Sequence, residues 1–265
     1  MHLKISHTTR YDFDAPVNYG LQQLRETPKS SGAQKVLTWA TRIEGGRKEL
    51  QFEDHHRNHV DLVSYTAGTQ ALVVVSEGEV EVADSHGIVG PHKGHAPLWL
   101  FQRATSLTNA GSGCDALLRQ LPEGAEVDRF HALSGLISEV VAYETGISQT
   151  HWTAEDVINA GHGVCQDHTH VFLACARALG FPARYVSGYL MMNDRVRQEA
   201  MHAWAEVHLN GLGWVGFDVS NGISPDTRYV RVATGLDYGE AAPISGTRFG
   251  TAGESLSVAV DVAQQ

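Results

Sequence analysis

Residues 161–172, GHGVCQDHTHVF, set a cysteine, an aspartate and three histidines between a glycine hinge and an apolar run. Such a stretch can serve a metal centre, a thiol nucleophile at a helix start, or neither. A metal needs three or four convergent ligands. Cys165 and His168 stand three apart and could share a helix side, with His162 joining from the loop. Asp167 and His170 point elsewhere, and neither a second cysteine pair nor an HExxH pattern is present. The spacing therefore predicts no metal here. A second histidine-rich piece, DHHRNHVDL at 54–62, precedes a strand and reads as a polar turn, because His55, His56 and His59 lack a ligand spacing.

A thiol nucleophile fits better. Cys165 falls in the first turn of a helix predicted to run to about Leu179, with Gly180 as cap and Pro182 beyond. Unpaired N–H groups and the positive dipole end at such a position favour a thiolate and can also donate to an oxyanion. Cys175 lies mid-helix among Leu173, Ala174 and Ala178 and reads as core. Cys114 follows glycines that could leave it exposed, but nothing near it would activate a thiol.

A nucleophilic thiol needs a base. AMHAWAEVHLNGLGWVGFDVSNG, residues 200–222, holds two strand-like runs around Asn210-Gly211, the dipeptide most favoured in tight hairpins. Pairing outwards from that turn sets His202 about opposite Asp218 or Val219, unless a bulge at Gly213 shifts the register. By alternation His202, Trp204, Glu206 and His208 share a face with Trp214, Gly216 and Asp218. Trp204 and Trp214 could then wall a cleft or simply pack. An imidazole held by a carboxylate has a fixed tautomer and raised basicity. Cys165, His202 and Asp218 thus form a constellation compatible with acyl transfer through a thioester.

The elements that must carry these residues are legible. Residues 1–100 read mostly as strands: Leu3, Ile5, Tyr11 and Phe13 alternate with polar residues, as do Val80 and Val82. The Gly/Ser-rich patch at 111–113 suits a linker or helix start. Phe130, Leu133, Ile137, Val140 and Val141 stand at helical spacing ahead of Gly146. Residues 150–161 read as another helix, with Thr153 as N-cap and Asp156 nearly completing a capping box. The expectation is an α+β chain: an amino-terminal antiparallel, sandwich-like β domain over 1–100 and a core over 101–265 with helices on an antiparallel sheet.

Bulk properties narrow the function classes. The 265 residues are 42% hydrophobic and 19% charged, enough for a sizeable core, and carry a formal charge of −10 with no basic run. Nucleic acid and anionic membranes are therefore disfavoured as partners. The first residues lack an apolar signal region, and no stretch approaches 18 uncharged apolar residues. With three cysteines that match no disulfide framework, this predicts a cytoplasmic protein with free thiols.

GHGVCQDHTHVFLACARALGFPARYVSGYL followed by HAWAEVHLNGLGWVGFD resembles the core of the bacterial transglutaminase-like superfamily, whose fold is related to papain-type cysteine proteases. HTTRYDFDAPVNYGLQQLRETP resembles the small β-rich domain preceding that core in one branch, and DYGEAAPISGTRFG resembles the branch's tail. The resemblance implies Cys165 as nucleophile, His202 as general base and acid, and Asp218 as orienting carboxylate. Two positions depart from the branch: His168 stands where an aromatic residue is usual, and Val219 where proline is common. His168, one turn from Cys165, could change pocket polarity. Gln166 and Trp152 are candidates for the oxyanion or substrate site, with Trp204 beside them. His170 is expected to orient its helix.

The expected activity is hydrolysis of an amide bond in a peptide or protein, isopeptides included, with no cofactor. Transfer to an amine would use the same triad, but no dense acidic loop suggests the calcium sites of animal transglutaminases. A non-catalytic scaffold, or a metal-binding domain, is the contrasting class. A scaffold needs none of Cys165, His202 and Asp218.

Overall fold

Alternation in the first strand sets the layout. Within β1 (His2–Val17), Leu3, Ile5, His7 and Thr9 are buried in turn while the residues between them are not. The computed structural model describes all 265 residues. After β1 come β2 (Tyr19–Leu24), β3 (Gln34–Glu44), β4 (Gly46–Glu53), β5 (His59–Tyr65), β6 (Thr69–Val82) and β7 (Ile88–Gly90). The helical part holds α1 (Ser112–Leu118), α2 (Glu126–Val140), β8 (Ala142–Tyr143), α3 (Ala154–Ala160), β9 (His162–Gly163) and α4 (Cys165–Ala178). Then follow β10 (Ala183–Leu190), β11 (Arg197–Gln198), β12 (His202–Leu209), β13 (Gly213–Phe217), β14 (Tyr229–Gly235), α5 (Tyr238–Ala241), β15 (Ile244–Phe249) and β16 (Glu254–Gln264).

Three sheets stack. Strands β11-β16-β1-β6-β3 form one and β15-β2-β5-β4 a second, with Phe13, Val17, Leu24, Val63, Leu72 and Val74 packed between them. The third, β14-β10-β12-β13-β7, carries the helices on one face, where Ala203, Ala205, Val207 and Phe217 meet Val171, Phe172 and Phe130. Its other face receives the first sheet: Leu3, Ile5, Val80, Val260 and Val262 pack on Tyr189, Val230 and Val232. The expected α+β architecture is present, and all paired strands but the short β8–β9 run antiparallel.

The structure differs from a division at residue 100 in both directions. Residues 244–264 pair with β1 and β2, in the sheets of the amino-terminal part. Residues 88–90 pair with β13, in the core sheet. The C-terminal strand supplies β1 with a second neighbour along eleven register pairs, Leu3–Gln264 to Phe13–Glu254, so its hydrogen-bonding partner lies at the opposite end of the chain.

Local signals set the helices. Thr153 and Asp156 cap α3 reciprocally, and Gly161 ends it at φ 72°. The Glu155 carboxylate accepts from the backbone N–H groups of Gly111, Gly113 and Cys114 and so caps α1 as well. Cys114 is fully buried in the helical core rather than exposed, because α1 packs it against α3 and α4. Val140 is exposed, whereas Val141, just past the end of α2, is buried and continues the apolar stripe of Phe130, Leu133 and Ile137. No helix is long and apolar enough to cross a membrane.

One buried acid in the sheet interface makes stability depend on pH. Glu26 is 1% exposed, accepts from the Ser76 hydroxyl at 2.6 Å, and leaves Oε1 without a hydrogen-bond donor. Burial pushes its pKa up to about 8. Since it binds its proton more tightly folded than unfolded, its contribution is fully favourable below the unfolded value and is lost as pH rises through about 8. The expected result is that Glu26→Gln and the native chain unfold alike near pH 4. The variant should then gain by about 1.4 kcal/mol per pH unit up to about pH 8, and urea unfolding of both at several pH values measures this. A constant difference across that range would contradict it.

Candidate active site

Cys165 is the first residue of α4, where the first N–H groups have no intrahelical acceptor. Asp167, two residues on, turns back to accept from the Val164 N–H at 2.8 Å, which fixes the chain's entry into the helix. Of the three cysteines only Cys165 reaches solvent; Cys114 and Cys175 are fully buried. A hydrogen bond with the Cys114 thiol, together with burial, pushes the Cys175 thiol far above its ordinary range.

His202 opens β12 and borders the Cys165 thiol. Its Nε2–H donates to Asp218 Oδ2 at 2.6 Å, and its imidazole also meets the Cys165 thiol. Gly188 pairs with His202 across the sheet, and a Cβ there would sit 2.3 Å from the Trp204 ring and from the Val230 carbonyl. The hairpin register differs from the sequence pairing. Gly213, at φ 77°, opposes Leu209, so three residues form the turn and the ladder shifts by one to two positions. Asp218 lies just past the end of β13, yet its side chain reaches the imidazole.

Two residues that sequence reasoning missed hold Asp218. Asn221 Nδ2 and the Tyr229 hydroxyl each donate to Oδ2 at 2.7 Å. Burial works against the charge on Asp218, but these bonds and His202 overcome it and keep the pKa below the usual carboxylate range. A turn-forming Ser-Asn-Gly after Asp218 was the one available signal for Asn221. Burial also opposes charge on His202, but the adjacent Cys165 and Asp218 push its pKa up to about 10. For Asp218→Asn the expected result is a fall in the His202 pKa of at least about one unit, read from the pH titration of its ring NMR signals. An unchanged titration would contradict the coupling.

Cys165 and His202 line a cleft of about 260 Å³ together with Gln166, Tyr185, Ser187 and Tyr238. Gln166 is therefore at the site. Trp152 does not line the cleft; its ring packs 5.6 Å from that of His162. Trp204 is 2% exposed among Val186, Leu190 and Tyr229 and backs the imidazole, ring centroids 6.2 Å apart, instead of walling the cleft. Trp214 is buried beneath Phe101 with the Arg184 guanidinium 3.8 Å above its ring, well away from Cys165 in the fold.

His168 does not change the pocket. It is 2% exposed; Nε2–H donates to the Val141 carbonyl and Nδ1 accepts from the Ser220 hydroxyl, both at 2.9 Å. Burial lowers its pKa, so it stays neutral, and through Ser220 it tethers the segment carrying Asp218 to α4. His170 accepts from the Tyr238 N–H at 3.2 Å, fixing the start of α5 beside the cleft.

Elsewhere His55, His56 and Glu240 bring ligand-type atoms within 4.8 Å of one another. Glu240 Oε2 already accepts from His56 Nε2 and the Leu236 N–H, each at 2.7 Å. This cluster ties the β4–β5 turn to α5; His59 takes no part in it.

Residues 115–219 match the transglutaminase-like superfamily core, and residues 3–81 match the bacterial transglutaminase-like N-terminal region. An uncharacterized protein of Mycobacterium leprae is 24% identical over 98% of both chains. One of Mycobacterium tuberculosis is 27% identical over 98% of this chain and 91% of its own. A protein from Cytophaga hutchinsonii, described with its crystal structure as a proposed cysteine protease, shares the fold at TM-score 0.80 and 21% identity, covering 99% of this chain and 90% of that one. With both of its parts matched, the chain belongs to the transglutaminase-like superfamily, in the bacterial branch that carries the β-rich N-terminal region.

Proposed function

We propose that the protein is a thiol-dependent amide hydrolase, a cysteine peptidase or amidase acting through a thioester on Cys165. The observation that supports this most is the buried His202–Asp218 pair, 2.6 Å apart, beside the one accessible cysteine at the start of α4. Tyr229 and Asn221 leave Asp218 no freedom to turn from the imidazole. A scaffold would have no use for that restraint.

In the first step the Cys165 thiolate attacks the amide carbonyl carbon, and the carbonyl π electrons move to oxygen. Unpaired N–H groups of the first turn of α4 face that oxyanion. As the tetrahedral intermediate collapses, the C–N bond breaks and the His202 imidazolium gives its proton to the leaving amine. Neutral His202 then takes a proton from water, whose oxygen attacks the thioester, and collapse releases the acid and the thiolate. Asp218 keeps the ring in one tautomer throughout and stays ionised. Three free thiols fit a reducing compartment such as the cytoplasm.

A peptide and isopeptide library, incubated with the protein with and without hydroxylamine, tests the reaction. Hydrolysis without added amine, absent in Cys165→Ala, is the expected result. Products formed only with the amine would make the protein a transamidase instead.

A further inference from the structure

The face of β1 that docks on the core does not end at the core. Leu3 and Ile5 are covered by Tyr189, Val230 and Val232. The next residues on that face, His7, Thr9 and Tyr11, run on over the cleft. β16 continues in step, since Thr9 pairs with Val258 and Tyr11 with Leu256, and both of these also line the cleft. One sheet face is thus half interface and half open wall opposite Cys165 and His202. His7 and Thr9 are buried, and the exposed part of the wall is formed by Tyr11, Val258 and Leu256; Leu256 is 56% exposed although its strand neighbours on this face pack inward.

No lining residue is an acid, a lysine or an arginine. The two histidines are both committed. His202 is held by Asp218, and His7 has Nδ1 on the Tyr189 hydroxyl and Nε2 on Thr9 Oγ1, each at 3.1 Å. Burial further lowers the His7 pKa to about 4, so it carries no charge near neutrality. A charged side chain entering here would lose water and gain no partner. An aliphatic or aromatic one would cover Leu256, Val258, Tyr11 and Ile244.

We propose that the amino-terminal strand and the C-terminal strand beside it form a specificity wall that selects an uncharged apolar residue adjoining the scissile amide. This rests on the reading of Cys165 as nucleophile. The β-rich region is therefore part of the binding site, and its last strand comes from the far end of the sequence.

Bromoacetyl derivatives of leucinamide, phenylalaninamide, aspartate amide and lysinamide test the wall without a known substrate. Their rates of alkylation at Cys165 are read by peptide mass mapping and normalised to the rate with iodoacetamide. The leucine and phenylalanine reagents are expected to react about tenfold faster or more than the charged pair. Leu256→Glu, at an exposed position, should erase that advantage and favour the lysine reagent; near-ultraviolet circular dichroism checks its fold. Equal normalised rates in the native protein, or a selectivity that Leu256→Glu leaves intact, would overturn the wall while leaving a reactive Cys165 standing. Slow alkylation of Cys165 by every reagent, iodoacetamide included, would overturn the nucleophile and the wall together.

Discussion

Cys165→Ala is expected to lower turnover about ten-thousand-fold or more while the protein stays folded. In the proposed mechanism the intermediate is a bond to this sulfur, and the other two thiols are fully buried and cannot replace it. The substitution removes little else. Cys165 is half-buried at the first turn of α4, and the helix bond it makes through its carbonyl to the Thr169 hydroxyl is kept. Thermal unfolding should therefore move by no more than about 1 kcal/mol. Cys165→Ala combined with His202→Ala should be no worse than either alone, because the two act as one unit. Residual turnover of the single variant near the native rate would end the nucleophile assignment.

The largest stability effect is expected at Glu206, on the same strand as His202 and remote from the thiol. Its carboxylate is fully buried and receives Arg184 Nε at 2.6 Å and Arg231 Nε at 2.7 Å. Arg184 has no other anion, and burial pushes its pKa down to about 10 even with Glu206 present. Glu206→Ala leaves two guanidinium groups between the core sheet and the start of β3, where the Gln34 side chain bonds both backbone groups of Arg231 at 2.8 Å. Breaking one partner of such a set costs about 3–5 kcal/mol. At the exposed pair Arg42–Glu77, 63% and 41% exposed, Glu77→Ala should leave the unfolding midpoint nearly unchanged. Urea unfolding of the two variants side by side measures the contrast. Similar losses in both would show that the buried triad contributes little.

Much of the core was legible because its signals are local. The Thr153–Asp156 box, Gly161 and Gly180 delimit helices from a few adjacent residues, and Asn210-Gly211 announces the hairpin that carries His202. The same hairpin shows where local reading stops. Whether Gly213 takes positive φ decides the register, and a sequence does not fix that choice when two- and three-residue turns both suit it. The cleft's outer wall was hidden for a different reason. Glu254–Gln264 pairs with the third residue of the chain onward, and no periodicity within either strand names its partner. His168 likewise could have faced the thiol or the core from one turn away; only the positions of Val141 and Ser220 settle which.

His168 also gives the departure from the branch a physical content. It anchors Ser220, two residues past Asp218, so a side chain on the helix of Cys165 acts on the Asp218 segment and not on the pocket. Asp218 is thereby braced from three sides, by Tyr229, Asn221 and the Ser220 tether.

The most direct measurement is alkylation of the native protein by limiting iodoacetamide, with the label mapped by mass spectrometry in the native chain and in His202→Ala. The expected result is a single label on Cys165, formed at least about tenfold more slowly when His202 is removed. Labelling shared slowly among Cys114, Cys165 and Cys175, or a Cys165 rate indifferent to His202, would contradict an activated thiol at this site.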